Sequence, residues 1–398
     1  MTRGSRILGL FGRLVGVVLA SMLVLALCFE VYLRRAGFMD AQPANYPCVA
    51  GDPVLNHIFR AGCEDIAPAA ALKTAHDAHY RTNSRGYRGH APEAGKRVIV
   101  TIGDSYTEGF GLEEEQAFPA VLERALRARG ATGWQVLNGG TLGFSPALYP
   151  AYFDRFFLLE HPELVVLNLD FSDFNDDAYF LQIADYDSQN RPVAFPGREA
   201  LPDWLMPYVY SNRSALLRFL HQEINQWSMN SRRERVQWQM DQWIHADTPL
   251  IDPADLKAAS LDGCAKPVEA IAKHILILKD HAGAVGAHFA IHMYPPGGAV
   301  KSYANLPQGI SFVRVWDAKH RTDYSWACGI TPKIVDVMHA FAQRQGIPFF
   351  DSFPIVMAQP DKETLYYDRD AHWNERGVKL VAENLAPQLL PLLKKSNR

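Results

Sequence analysis

An excess of charge of either sign is missing from this chain. Its 40 lysines and arginines nearly balance 43 aspartates and glutamates, for a formal net charge of −3 over 398 residues. No basic stripe with interleaved aromatics occurs, so nucleic acid is not an expected partner. Cysteine is scarce: there are five, and none form a Cys-x-x-Cys pair, which argues against a closed thiolate zinc site. His76, Asp77 and His79 stand together in a polar run, but no fourth ligand is near, and neither a metal nor an organic cofactor is expected. Internal repeats and low-complexity tracts are absent as well. What remains, 48% hydrophobic and 21% charged residues, is the composition of a core-forming globular protein.

Only one long apolar run occurs. Leu14 to Leu33 is apolar except for Glu30, and ~20 such residues cross a bilayer as a helix. Arg3, Arg6 and Arg13 precede it, and Arg34 and Arg35 follow. The larger basic excess on the amino-terminal side keeps that end in the cytoplasm and exports the remainder. A cleaved signal peptide is the rival reading. Leu25-Ala26-Leu27-Cys28 places bulky Leu27 where a processing site needs a small residue, so an uncleaved anchor is expected. Cys48, Cys63, Cys264 and Cys328 lie beyond the anchor, an even number in an oxidising compartment. Of three possible connectivities, proximity selects Cys48–Cys63 and Cys264–Cys328.

Three regions follow from composition. Residues 1–36 hold the cytoplasmic end and the anchor. Residues 37–96, rich in Pro, Ala, Gly and His with little periodicity, read as a juxtamembrane linker and small lobe. Residues 97–398 alternate strand and helix. Val98 to Ile102 is a β-branched run of the kind a central parallel strand carries. Further strands are expected at Trp134–Asn138, Leu164–Leu169, His288–Tyr294 and Ile347–Asp351. Helical faces lie at Phe118–Leu126, Val268–Leu278, Ile334–Phe341 and Val378–Leu385. Residues 178–265 break the alternation and read as a largely helical insertion after the third strand. Its aromatics, Trp204, Tyr208, Tyr210, Trp227, Trp238 and Trp243, are expected to pack its own core rather than form a ligand platform. Five buried strands alternating with helices give an α/β fold with a parallel sheet covered on both faces.

Polar clusters follow strands one, two, three and five, and in such a sheet those loops share one edge. The first holds Gly103-Asp104-Ser105-Tyr106-Thr107, read as a tight polar turn. A serine hydroxyl needs a base, and the base needs a group that fixes its tautomer. Ser105 is the candidate nucleophile, His372 the base and Asp370 the orienting carboxylate. The tetrahedral intermediate needs N–H donors, and the backbone amides of Ser105 and Gly143 are the candidates. His292, at the end of strand four, is read as structural.

GDSYTEG around Ser105, NGGTLGFSP around Gly143, the turn after strand three and DAHWN around His372 together resemble the four blocks of the SGNH (GDSL) hydrolase superfamily. The resemblance covers Arg97 to Leu390 with one insertion. It implies a three-layer α/β/α fold on a five-stranded parallel flavodoxin-like sheet, and ester hydrolysis by Ser105, His372 and an aspartate. The leading helix and the Asn83–Gly89 segment are similar to those of membrane-anchored bacterial members. The DAHW form is similar to the Asp-x-His-Trp motif of alginate O-acetylation proteins.

Two positions depart from the family pattern. The family's third block supplies an Asn side chain to the oxyanion hole, where this chain has Ser172-Asp173. Either the Ser172 hydroxyl donates instead, or Asn175 moves in. In the last block Arg369 stands three residues before His372, where many members have Asp. Asp370 fits a shorter spacing, and Asp368 is the fallback. The expectation is an esterase held by its anchor in a bacterial inner membrane. Its catalytic domain is exported to the periplasm and removes a small acyl group such as acetyl from a cell-envelope saccharide. Acyl transfer to a polysaccharide and an inactive binding or assembly protein are the alternatives.

Overall fold

The computed structural model describes residues 3–36, 48–67, 77–196, 214–245, 248–300, 332–368 and 370–395. The chain divides into two compact units. One comprises residues 1–45 and 200–232, the other residues 46–199 and 233–398.

In the first unit, helix α1 (Arg3–Arg35) contains an apolar stretch, Phe11–Arg35, long enough to cross a membrane and not buried within the protein. Near its end, the Glu30 carboxylate accepts hydrogen bonds from the N–H groups of Ala215 (3.0 Å) and Leu216 (2.7 Å). This caps a second helix that begins at Ala215, whose first N–H groups have no intrahelical acceptor.

The second unit is built on five parallel strands: β1 (Arg97–Gly103), β2 (Trp134–Gly140), β3 (Leu164–Leu169), β4 (His288–Met293) and β5 (Phe349–Asp351). They lie in the order β5-β4-β3-β1-β2, which is the flavodoxin-like arrangement. Paired positions share a face. Ile99 opposite Leu164, with Val166 and Ala290, meets helix α3 (Phe118–Arg127) through Val121, Leu122 and Leu126, and the carboxyl-terminal helix (Glu375–Lys395) through Val381 and Leu385. The other face carries Val100, Ile102, Val165 and Leu167, all buried. The expected three-layer α/β architecture is the one observed. The crossover from β3 to β4 includes helices at Ser172–Ile183, Ala215–Ile244, Pro253–Ala259 and Ala265–Ala284.

Local differences from the sequence reading have simple causes. The polar turn after β1 is one turn of helix, α2 (Ser105–Glu108), capped by Asp104 and ended by Gly109 in the left-handed region. The approach of this helix to β2 explains Gly140: a Cβ there would stand 2.0 Å from the Glu108 nitrogen. Residues 46–96, set apart as a linker and lobe, belong to the same compact unit as the sheet. They form hairpins from four-residue strands, Val49–Asp52 with Asn56–Phe59 and Glu64–Ala67 with Ala78–Arg81, which are too short to show periodicity.

Cys48 and Cys63 are disulfide-bonded, and Cys264 is also in a disulfide. Cys328, the partner expected for Cys264, lies outside the described residues, as do Trp204, Tyr208, Tyr210, His76 and Arg369. Of the other insertion aromatics, Trp227 and Trp238 are exposed, against the expectation of a packed core. Trp243 stacks on His274 at 4.6 Å. The Cys48–Cys63 bridge closes a 15-residue separation, worth about 3 kcal/mol as a constraint on the unfolded chain. The double substitution Cys48→Ser, Cys63→Ser is expected to lower stability by about that amount. Urea unfolding followed by circular dichroism checks it, and an unchanged midpoint refutes it.

Candidate active site

The nucleophile candidate owes its position to β1. The strand ends at Gly103, where a Cβ would lie 2.1 Å from Thr107 Oγ1, so the chain turns sharply into α2. Ser105 is the first residue of that helix, and its N–H therefore has no intrahelical acceptor. The Asp104 carboxylate accepts from the Tyr106 N–H (3.0 Å) and from the Tyr294 hydroxyl (3.0 Å), which locks the turn. Arg88 holds the other end. Its guanidinium is fully buried, donates to the carbonyls of Glu108, Gly109 and Leu112, and lies over the Tyr80 ring at 3.8 Å. A cation at a helix carboxyl terminus is favourably placed. The segment before β1 thus supports the serine-bearing helix.

From the far end of the chain, His372 Nε2 reaches Ser105 Oγ at 2.6 Å. His372 Nδ1 is hydrogen-bonded to Asp370 Oδ1, which also accepts from the His372 backbone N–H at 2.8 Å. With Nδ1–H donating to the carboxylate, Nε2 faces the hydroxyl with its lone pair. Asp368, the fallback, is exposed. Around the imidazole the loop is fixed from several sides. The Tyr106 hydroxyl donates to the Ala371 carbonyl and accepts from the Gly297 N–H (2.9 Å), and the Tyr367 N–H donates to the His372 carbonyl (3.0 Å). Phe110 and Tyr106 stand 4.5 and 4.9 Å from the ring. Burial by itself pushes the imidazole down. The carboxylates of Asp370, and beyond it Asp104 and Asp170, outweigh that and hold it above its ordinary value.

The third-block positions are resolved in an unexpected way. The Ser172 hydroxyl donates its one proton to Asp170 Oδ1 (2.6 Å), and the Ser172 N–H donates to the same oxygen (2.6 Å). So engaged, Ser172 has no proton left for an oxyanion. Asn175 lies within the helix Ser172–Ile183. Gly143 is exposed at the rim with φ +70, and a Cβ there would meet nothing within 4 Å. Of the two backbone donors expected, the Ser105 N–H opens helix α2 and the Gly143 N–H lies in the loop that follows β2.

A group the sequence did not single out lies behind the serine. Asp104, Asp170 and Asp173 are all buried. The Asp170 N–H donates to Asp173 Oδ2 (2.8 Å), and the second Asp170 oxygen has no hydrogen-bond partner. Burial raises all three carboxyls, and repulsion from Asp170 adds to it for Asp173 and for Asp104, which is pushed up to about 7. Only their burial distinguishes them from the exposed aspartates of the chain. His292 is buried between Asn168 and Ser352 Oγ, each at 2.8 Å, and burial lowers it to about 3. It is a neutral core group. Among the described residues no cluster of three or more His, Cys, Asp or Glu side chains fits a metal ion.

No protein-family model matches the chain. No curated protein matches it either. Solved structures similar to it include a lipolytic protein of the G-D-S-L family from Desulfitobacterium hafniense, at 16% identity over 73% of this chain and 99% of that one, with a TM-score of 0.36. A lipase/acylhydrolase from Enterococcus faecalis matches at 13% identity, 74% and 95% coverage and a TM-score of 0.36. An acetyl xylan esterase matches at 11%, 74% and 100%, with a TM-score of 0.35.

Proposed function

We propose that this protein is a serine esterase of the SGNH type, with Ser105 as nucleophile, His372 as base and Asp370 as its orienting partner. The single observation that carries the reading is the 2.6 Å contact between Ser105 Oγ and His372 Nε2 across 267 residues of sequence, with Asp370 on the opposite ring nitrogen. In the acylation step Oγ attacks the ester carbonyl carbon while its proton passes to Nε2. The carbonyl oxygen becomes an oxyanion facing the N–H groups of Ser105 and Gly143. As the carbon–oxygen bond breaks, Nε2–H protonates the departing alkoxide. An acyl-serine and a free alcohol result. Water then attacks the acyl-serine by the same route in reverse, releasing the carboxylic acid and restoring Ser105.

The reading extends to an enzyme tethered by α1 in a bacterial inner membrane with its sheet domain in the periplasm. It rests on the apolar length of that helix and the basic excess before it. A short acyl group such as acetyl on an envelope saccharide is the substrate class that fits this address. Purified full-length protein is expected to cleave p-nitrophenyl acetate and to be labelled on Ser105 by a fluorophosphonate. Folded protein that does neither overturns the proposal. Turnover that is faster with added glycan, with acyl groups appearing on the glycan, assigns the transfer reaction instead.

A further inference from the structure

The loop between β2 and the helix Tyr149–Phe156 carries Gly143, and it is gripped by residues from distant parts of the fold. The Leu142 N–H donates to Glu108 Oε2, and the Leu142 carbonyl accepts from His57 Nε2 at 2.8 Å. Glu108 ends the helix that begins with Ser105. It is buried, and burial raises its carboxyl to about 7 with Arg88 opposing that shift. His57 lies on the hairpin strand Asn56–Phe59, inside the loop closed by Cys48 and Cys63. Its ring also meets Phe144 edge-on at 4.9 Å. Further along, the Ala147 N–H donates to the buried Asp177 carboxylate (2.6 Å).

The covalent geometry gives the His57 contact a consequence. The Leu142 carbonyl and the Gly143 N–H belong to one planar, trans peptide unit and point in opposite directions. A donor that fixes the carbonyl on one side fixes the direction of the N–H on the other. Because a carbonyl oxygen only accepts, the His57 Nε2 on it carries a proton, while Nδ1 of the same ring meets Asn56 Oδ1 at 3.0 Å. A hydrogen bond to the carbonyl also polarises the unit and strengthens its N–H as a donor. Gly143 has φ +70, and a Cβ there would meet nothing within 4 Å, so hydrogen bonds from outside the loop help to set the direction of its peptide.

We propose that His57 is a positioning residue for ester hydrolysis: from the disulfide-closed hairpin it aims the Gly143 N–H at the oxyanion. Glu108 grips the preceding peptide of the same loop. The proposal rests on the esterase reading and adds to it a function for residues 48–63, which otherwise lie outside the α/β core. With the Ser172 hydroxyl committed to Asp170, this reading relies on the Ser105 and Gly143 amides among the described residues, and the aim of each matters more.

The test uses full-length protein in detergent with p-nitrophenyl acetate, comparing wild type with His57→Leu, His57→Gln and Ser105→Ala. Leucine keeps the packing on Phe144 and removes the donor, whereas glutamine offers an N–H again. For His57→Leu, kcat is expected to fall about tenfold to a hundredfold, less than the 10²–10³ for deleting an oxyanion donor outright, with KM within about twofold. The inhibition constant of phenylboronic acid, which becomes an anionic tetrahedral adduct on serine, is expected to rise by a similar factor. His57→Gln is expected to recover most of both. Wild-type kcat and boronate affinity in His57→Leu overturn the proposal while leaving the esterase reading intact. Equal losses in the leucine and glutamine variants together with a lowered melting temperature also overturn it, because they assign His57 to folding alone. Wild-type protein no more active than Ser105→Ala overturns the esterase reading and this proposal with it.

Discussion

Replacing Ser105 by alanine, or His372 by alanine, is expected to reduce kcat for p-nitrophenyl acetate by on the order of 10⁶, with the double variant no worse than either single one. The two side chains share one proton across a 2.6 Å contact, so neither does its part without the other. What survives in the proposed mechanism is binding and the backbone amides assigned to the oxyanion, which would still favour the tetrahedral geometry over reaction in water. Stability is expected to change little for His372→Ala, because the loop is also held by the Tyr106, Gly297 and Tyr367 contacts around Ala371 and His372. Steady-state kinetics with thermal melts on the same samples checks both statements. Two single losses that multiply in the double variant would show that the residues act independently, and the shared proton transfer would have to be given up.

The second large effect concerns Asp370. Substitution to asparagine removes the charge and allows the amide to donate to Nδ1, which leaves the imidazole proton on Nε2, the wrong side for a base. A fall in kcat of about 10⁴ is expected. The pH profile supplies a second reading. His372 must be neutral to accept the serine proton, so kcat/KM rises with pH through the histidine's titration. In the native protein the neighbouring carboxylates, Asp370 first, hold that midpoint above the ordinary ~6.5. Once Asp370 is neutral, burial acts with less opposition and the midpoint moves to lower pH. The residual activity of Asp370→Asn is therefore expected to level off at a lower pH than the wild type. A midpoint that stays in place or moves upward contradicts the assigned role. The buried carboxyls of Asp104 and Asp170 also raise His372, so the shift is expected to be partial.

Much of this was legible in the chain, for reasons that are local. The β-branched run at Val98–Ile102 and the apolar run at Leu164–Leu169 are what buried parallel strands carry. Serine, glycine and histidine just past strand ends point to one edge of such a sheet before any coordinate is known. The hairpins of residues 49–59 and 64–81 were not legible, because strands of four residues leave too few positions for alternation to show. Ser172 was readable only as a residue type. That its hydroxyl is committed to Asp170 depends on a turn geometry that the letters do not encode. Trp227 and Trp238 show the opposite error: aromatics in a helical insertion looked like core and are exposed.

By itself the sequence determined the α/β class, the five strands, the apolar leading helix and the residues with the chemistry to react. Those follow from side-chain periodicity and intrinsic reactivity, which are properties of neighbours along the chain. Only the tertiary structure decided that Asp370 rather than Asp368 faces the imidazole and that Arg88 braces the helix behind Ser105. It alone showed that three aspartates are buried side by side, and that His57 touches the loop of Gly143 from 85 residues away. Each of these depends on burial and direction in space. Both are set by the packing of distant segments, and no local pattern carries that information.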